Sequence, residues 1–297
     1  MHPAPSIIVF TTLSGLGFGM MAWIGLGAGE ADGWLAALYC LIALGLAGIG
    51  LLASLGHLGN PQRAWRALSQ WRSSWLSREG VVSIAAMAVF FLYAVLWAVW
   101  GDRIAPLGWL AALLALGTIL CTSMIYAQLK TVPRWNHWST PALFFLYGLG
   151  GGALLAGLTW VALVLLAGAG AMQVWAWQRG DGAYAASGST IETATGLGRI
   201  GRTRLLEAPH SAPNYLMKEM VFVVGRRRAV EIRRWALALG AVLPVVLLLV
   251  AVVYPGLWPL ILGLAAVSYL VGVLAARWLF FAEAEHVVGL YYGRTAA

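Results

Sequence analysis

The stretch PALFFLYGLGGGALLAGLTWVALVLLAGAGAMQVWAWQ, residues 141–178, contains 38 consecutive residues without a charged side chain. As a single helix it would measure about 57 Å, almost twice the roughly 30 Å thickness of the hydrocarbon core of a bilayer. Two spans of about 18 residues each, joined by a tight turn near residues 157–160, would fit that thickness. The stretch therefore predicts a helical hairpin, and the number of spans in the whole chain depends on it.

The composition places most of the chain in lipid. Of its 297 residues, 61% are hydrophobic and 10% are charged, whereas soluble domains carry about 25% charged residues. The apolar runs are close to the roughly 20 residues that a membrane-spanning helix needs, and none alternates like a strand of an outer-membrane barrel. Because backbone groups in lipid must be satisfied within their own segment, these runs are predicted to be helices.

The predicted fold is an all-α integral membrane protein, an eight-helix transmembrane bundle that forms a single domain over residues 1–297, with one long cytoplasmic loop at 179–235. The spans are expected near residues 7–28, 34–56, 81–100, 106–128, 141–157, 161–178, 236–254 and 257–279. From Asn214 onward, the long loop has apolar residues at helical spacing, followed by arginines. This second half of the loop is predicted to form an amphipathic helix along an anionic membrane surface.

The charges of the loops predict the orientation. Residues 57–80 carry four arginines against Glu79, so +3, and residues 129–140 carry Lys130 and Arg134, so +2. Residues 179–235 carry ten Lys or Arg against five Asp or Glu, so +5, whereas residues 29–33 carry Glu30 and Asp32, so −2. With a hairpin at 141–178, all basic loops fall on one face. The positive-inside rule then places these loops and both termini in the cytoplasm.

Several functional classes are disfavoured. The apolar spans hold no ionisable residue in mid-membrane, whereas proton-coupled transporters usually place Asp, Glu or His there. The two cysteines, Cys40 and Cys121, both lie inside apolar runs, which predicts neither a disulfide nor an iron–sulfur cluster in this chain. The glycine clusters GLGFG and GLGGG lie inside spans and are expected to be close-packing glycines instead of phosphate loops.

Polar residues collect at the predicted cytoplasmic face. His57 ends the second span, Glu79 precedes the third, Tyr126 ends the fourth, Arg277 lies at the end of the last one, and Glu283 follows it. A lipid-soluble redox molecule such as a quinone needs an apolar, aromatic cleft with proton donors and acceptors near the headgroups, and histidine with glutamate suits that task. Simpler interpretations stay open, because His57 can cap a helix and Glu79 can favour a helix N-terminus.

The histidines also bear on a haem cofactor. None of the five lies well inside a span, where a haem buried in a bundle would find two axial ligands; they are His2, His57, His137, His210 and His286. A haem b is therefore disfavoured, and His57 with His286 would be its least implausible ligands.

Several motifs resemble one family. SLGHLGNPQRAWRAL at 54–68, SSWLSREG at 73–80 and YAQLKTVPRWNHWSTPALFFL at 126–146 are similar to the membrane anchor subunit of dimethyl sulfoxide reductase-type enzymes, as are IIVFTTLSGLGFGM and ARWLFFAEAEHVVGL near the two ends. The resemblance implies an eight-helix anchor without a metal centre. It also implies an iron–sulfur partner subunit with [4Fe-4S] clusters, a catalytic partner with molybdopterin guanine dinucleotide, and electron exchange with the quinone pool. His57 matches the quinol-site histidine of that family, and Glu79 its loop glutamate.

Two departures from that family point to a branch of it. The stretch 141–178 is shorter than the corresponding spans, and the segment ETATGLGRIGRTRLLEAPHSAPNYLMKEMVF at 192–222 is absent from the enterobacterial dimethyl sulfoxide type. This segment resembles the sulfite-oxidising (sulfite dehydrogenase) branch, which implies reduction of ubiquinone or menaquinone linked to sulfite oxidation. The alternatives are a quinol-oxidising anchor of an S-oxide reductase and, from another class, a purely structural anchor without a quinone site.

Two groups of residues are expected to carry these tasks, and neither includes a metal ligand or a residue catalytic for the substrate of the partner. The predicted quinone site comprises His57, Arg63, Trp75, Arg78, Glu79, Tyr126 and His137. The residues predicted to dock the partner subunits, or lipid phosphates, are Arg66, Arg72, Arg199, Arg202, Arg204 and Lys218.

Overall fold

A computed structural model describes residues 1–29, 31–207 and 228–292, with only the backbone of His57. The structure is 80% helical, and its described residues form no strand, so the predicted all-α class is confirmed. The helices are α1 (Pro5–Gly25), α2 (Gly33–Ala53), α3 (Trp75–Trp100), α4 (Ala105–Ala127), α5 (Ser139–Leu155), α6 (Thr159–Ala186), α7 (Ile191–Thr195), α8 (Ala229–Leu237), α9 (Leu243–Val253) and α10 (Trp258–Ala282). A π-helical turn, Ala238–Val242, joins α8 to α9.

The helix α3 begins six residues before the predicted start at 81. Ser74 caps it, because its hydroxyl accepts a hydrogen bond from the backbone N–H of Ser77 at 3.4 Å and so satisfies one of the free donors of the first turn. Its far end is closed by Gly101 in the left-handed conformation, with φ of 75°. Consequently Glu79 lies inside a helix and not in the loop before it.

The stretch 141–178 forms two helices. The chain turns between α5 and α6 at Gly157, whose φ of 75° is a left-handed conformation that glycine adopts without steric penalty. However, α6 continues eight residues beyond the predicted end at 178, because Arg179 and Asp181 in its last turns bond to neighbouring segments. Residues 179–235 are therefore not one continuous loop, since α7 and the start of α8 also lie within them. The predicted amphipathic helix from Asn214 lies outside the described residues.

Seven helices among the described residues are long and apolar enough to cross a membrane. They correspond to α1, α2, α3, α4, α6, the continuous α8–α9 rod and α10. The remaining apolar helix, α5, has 17 residues and measures about 25 Å, which is at the lower limit for a span. The chain is thus a multi-pass membrane protein.

The core of the bundle is built around α1. Most residues of α1 are buried, and it packs against α2, α4 and α5. Glycines allow these close contacts: a Cβ on Gly17 would clash with the backbone of Ala47 in α2, and a Cβ on Gly152 would clash with the backbone of Gly19. The expectation that the GLGFG and GLGGG clusters serve helix packing is therefore confirmed, as in other membrane bundles.

The loops gather at two ends of the bundle. At one end, called the basic end here, the 128–138 loop and the chain after α10 meet through the bond from Val287 N to Thr131 O at 3.0 Å. The amine of Met1 donates to Ala284 O at 2.7 Å at the same end. At the opposite end, Arg103 donates to Gly29 O at 2.7 Å and to Ala28 O at 3.0 Å.

Candidate functional site

A cavity lies at the basic end, beneath the segment that links α2 to α3. It has a volume of about 550 Å³, within the range of roughly 300–1,000 Å³ that is typical of small-molecule sites. Its walls come from α1, the end of α2, the 3₁₀ helix Pro61–Gln70, α3 and α4. Most of the lining is apolar, and the polar side chains among the lining residues belong to Ser54, Asn60, Arg63, Glu79 and Tyr126.

Glu79 is the acidic group of this cavity. Its side chain is 4% exposed, and the hydroxyl of Thr122 in α4 donates a hydrogen bond to its Oε1 atom. Thr122 is buried as well, and its Oγ1 lies 3.0 Å from the carbonyl of Thr118 one turn earlier. A carboxyl group in an apolar wall with one neutral donor is poorly solvated, and such a group can exchange a proton with a bound ligand.

Tyr126 lies one turn after Thr122 on the same face of α4, because residues four apart in a helix are neighbours. Its ring packs among four aromatic side chains with centroid distances of 5.3–5.7 Å; these are Trp135, Phe144, Phe280 and Phe281. Within the described part of the chain no hydrogen bond engages its hydroxyl. Tyr126 is therefore held rigidly and offers the cavity a free hydroxyl.

The backbone of His57 ends the 3₁₀ helix Ser54–His57. It lies in the chain between Leu55 and Leu58, which both line the cavity. Arg63 also lines the cavity, from the exposed helix Pro61–Gln70. Three residues predicted for one site, Arg63, Glu79 and Tyr126, are thus brought together around a single cavity.

Arg78 and Trp75 are not among the lining residues. Arg78 donates from Nε to Trp71 O at 3.0 Å and from Nη2 to Arg72 O at 2.7 Å, and its Cζ lies 4.5 Å from the ring centroid of Trp75. These contacts fasten the turn before α3 to the first turn of that helix. Arg78 therefore positions the chain above the cavity without facing it.

His137 also lies away from the cavity, at the start of α5. Its Nδ1 accepts from the backbone N–H of Ser139 at 3.2 Å, and its ring packs near Trp138 and Trp175 at 5.4 and 5.6 Å. Burial, together with the positive charge of Arg179, lowers the pKa of His137. The histidine thus accepts a backbone N–H at the first turn of α5.

Most of the residues predicted for docking are exposed at the basic end. Arg66 and Arg72 lie over the rings of Trp65 and Trp71, each with 5.5 Å between Cζ and centroid, and both tryptophans are exposed. Arg199, Arg202 and Arg204 are exposed after α7, and Lys218 lies outside the described residues. The basic end therefore presents arginine and tryptophan side chains toward its surroundings.

The sequence analysis missed two features of this end. Thr122 could have been found from its spacing of four residues from Tyr126 on a helix. Nothing in the sequence indicated an ion-pair network, in which Arg134 contacts Asp181 at 2.7 Å and Glu283 at 3.3 Å, and Arg233 contacts Glu283 at 2.6 Å and Asp181 at 2.5 Å. This network fastens α6, α8 and the end of α10 to the 128–138 loop.

The described residues contain no group of three or more His, Cys, Asp or Glu side chains able to hold a metal ion. Cys40 and Cys121 are both buried and free.

Comparisons with known proteins identify the family of this chain. A family model described as the DMSO reductase anchor subunit (DmsC) matches residues 1–293. A sulfite dehydrogenase subunit from Allochromatium vinosum is 32% identical over 338 aligned positions that include all of both chains. The anaerobic dimethyl sulfoxide reductase chain YnfH of Escherichia coli is 42% identical over 118 residues, which are 37% of this chain and 40% of that relative. No solved structure gives a significant match. The match along almost the whole chain shows that this protein belongs to the family of dimethyl sulfoxide reductase anchor subunits.

Proposed function

We propose that the chain binds a membrane quinone in the cavity beneath residues 54–68 and passes electrons between that quinone and an iron–sulfur partner subunit. One observation carries the proposal: a mostly apolar cavity of about 550 Å³ contains one buried carboxyl group, Glu79, and one rigid tyrosine, Tyr126. A quinone ring is flat and apolar and has two carbonyl oxygens at its edges, so it fits such a lining.

The anchoring task follows from the family. As a dimethyl sulfoxide reductase-type anchor subunit, the chain is the membrane-embedded component of a complex with iron–sulfur and molybdopterin catalytic subunits. The exposed arginines and tryptophans at the basic end, among them Arg66 and Arg72, would contact the partner subunits or lipid phosphates. The long segment with Arg199, Arg202, Arg204 and Lys218 would extend this surface.

The chemistry assigned to the chain is proton handling. A bound quinone accepts two electrons and two protons when it is reduced to quinol, and the reverse holds for oxidation. Glu79, with Thr122 as its hydrogen-bond donor, would hold a proton beside the quinone oxygen, and the hydroxyl of Tyr126 would donate a hydrogen bond to the same edge. His57, next to two lining residues, would exchange protons with water at the basic end.

The direction of electron flow is inferred from the relatives. The protein that matches along its entire length, including the segment after α7, is named as part of a sulfite dehydrogenase. The match to the YnfH chain covers less than half of either protein. This favours quinone reduction linked to sulfite oxidation, in which the sulfite reacts at the catalytic partner and not at this chain. The alternatives are quinol oxidation for an S-oxide reductase and a purely structural anchor.

The topology proposed for this function has eight crossings, with the basic end in the cytoplasm. An even number of crossings is supported by the contact of Met1 with Ala284, because the start of α1 and the end of α10 then lie at one end. The excess of Lys and Arg in the loops at that end supports its cytoplasmic location in the inner membrane of a bacterium. A cysteine introduced at exposed Ser69 should react with a membrane-impermeant maleimide only after the cells are opened. A cysteine introduced at exposed Asp102, at the opposite end, should react in intact cells as well.

The test uses the intact complex, purified through a tag on this chain. Wild type, Glu79→Gln and His57→Ala are assayed for sulfite-driven reduction of decylubiquinone and for decylubiquinol oxidation with dimethyl sulfoxide. The matched control is Glu231→Gln, at an exposed position of α8. We expect both site variants to lose quinone-linked turnover by at least tenfold, with assembly and artificial-dye activity unchanged. Full quinone turnover in Glu79→Gln would contradict the proposal, and activity with dimethyl sulfoxide alone would reverse the direction.

A further inference from the structure

A second cavity lies between α5, α6 and α10, and the lining of the proposed quinone cavity includes none of its residues. It has a volume of about 40 Å³, and since one water molecule needs roughly 10–15 Å³ it has room for about three. Its polar lining includes Ser139 and Thr140 from the first turn of α5, Tyr147, Gln173 and Arg277. The cavity is thus small, it combines aromatic and aliphatic walls with several polar side chains, and it lies beside a helix N-terminus.

The unusual group in this cavity is Arg277. Its side chain is 5% exposed, and its Cζ lies 3.7 Å from the ring centroid of Phe144. The Nε atom is buried without a hydrogen-bond partner. Nowhere in the described ranges does the guanidinium form a hydrogen bond or an ion pair. A buried cation without a counter-charge is strongly unfavourable, by several kcal/mol in general.

Nearby carboxylates do not supply the missing charge. Glu283 lines the same cavity, but its two oxygens already accept from Arg134 at 3.3 Å and Arg233 at 2.6 Å. Asp181, the other acid of that network, is bonded to the same two arginines. The network holds two cations and two anions, so it leaves the charge of Arg277 unbalanced.

The remaining polar groups suit an anion. The Oε1 atom of Gln173 accepts from the hydroxyl of Tyr147 at 3.2 Å, which leaves its amide N–H₂ group as a donor. The first turn of α5, at Ser139 and Thr140, adds the positive end of a helix dipole. A guanidinium, an amide N–H₂ group and a helix N-terminus all favour negative charge.

From these contacts we propose that Arg277 binds one small anionic group in the cavity between α5, α6 and α10. The group is either a free monovalent anion of chloride size or an oxygen of an acidic lipid phosphate that reaches in from the membrane. Either one neutralises a buried cation at the junction of three helices, so the bundle is more stable when the site is filled.

The test measures chloride-36 binding to the tagged complex in phosphatidylcholine nanodiscs, with gluconate holding the ionic strength constant. Wild type is compared with Arg277→Met, which removes the cation but keeps a long unbranched side chain. It is also compared with Gln173→Glu, which adds a carboxylate to the lining of the same cavity. Arg103→Met is the matched control, because Arg103 is satisfied by backbone carbonyls at the opposite end. We expect wild type and the control to bind one chloride more per complex than either site variant does.

A second arm distinguishes the lipid source. If chloride binding is equal in all variants, the complexes are reconstituted with added phosphatidylglycerol, and the lipid retained after delipidation is counted by native mass spectrometry. Retention of one such lipid by wild type but not by Arg277→Met supports the proposal with a lipid phosphate as the anion. Equal chloride binding together with equal lipid retention overturns it, and an Arg277→Met complex that does not assemble leaves Gln173→Glu to decide by the same counts.

Discussion

The ion-pair network at the basic end supplies a prediction about two carboxylates that share the same two partners. Glu283 and Asp181 each accept from Arg134 and Arg233, but the side chain of Glu283 is 5% exposed whereas that of Asp181 is 49% exposed. Glu283→Gln keeps the shape but removes a buried charge. Hydrogen bonds to charged groups contribute about 1.5–3 kcal/mol each. The amide oxygen of Gln retains one of the two hydrogen bonds from the arginines, so we expect a loss of about 2–3 kcal/mol in the free energy of unfolding.

The change Asp181→Asn affects the same two arginine partners, through three hydrogen bonds instead of two, at a solvated position. Exposed ion pairs contribute about 0–1 kcal/mol, so we expect a loss below about 1 kcal/mol, and a smaller one in high salt. The free energy of unfolding is measured by titrating the chain in dodecylmaltoside with sodium dodecyl sulfate. A loss in Asp181→Asn that equals or exceeds the loss in Glu283→Gln would refute the reasoning, since burial would then not decide the contribution.

Three further predictions concern other parts of the chain. Thr122→Val should lower quinone-linked kcat/KM by about tenfold at unchanged dye activity, because Glu79 loses its hydrogen-bond donor; a decrease of dye activity by the same factor would indicate misfolding instead. Gly152→Ala should destabilise the bundle by about 1–3 kcal/mol in the same detergent titration, whereas Gly45→Ala, which has open space around it, should not. The pKa of His137 is lowered on folding, so its contribution to stability is complete above about pH 6.5 and declines as the pH falls further. Tm should therefore decrease less between about pH 7 and 5 in His137→Asn than in wild type. An equal decrease of Tm in both proteins would contradict this.

The apolar runs predicted the helical class and most helix positions, because hydrocarbon tolerates few alternatives to a helix. The start of α3 was misplaced because the residues from Trp75 to Glu79 are mostly polar, and hydropathy does not register the cap formed by Ser74. As a result Glu79 was placed in a loop, although it is buried in a helix.

The candidate site was predictable only in part. His57, Glu79 and Tyr126 were expected near one another because each lies at the predicted cytoplasmic face, at or beside the end of a span. The contributions of Ile7 and Phe10 from α1 to the cavity depend on which helices are neighbours, and a single sequence does not encode that in any local pattern. For the same reason the burial of Arg277 was missed, because it depends on how α10 packs against its neighbours.

The central position of α1 has a consequence for how the chain is made. The face of α1 that carries Gly19 and Trp23 is completed by α5, whose Leu149 carbonyl accepts from the Trp23 indole at 2.9 Å across 126 residues of sequence. Because α1 is synthesised before α5, its small-residue face is turned to lipid or to the insertion machinery while α2, α3 and α4 are being made. In a nascent chain stalled before residue 139, α5 is missing and the glycine face of α1 stays uncovered. Membrane proteases that recognise this uncovered face would degrade unfinished subunits and spare finished ones.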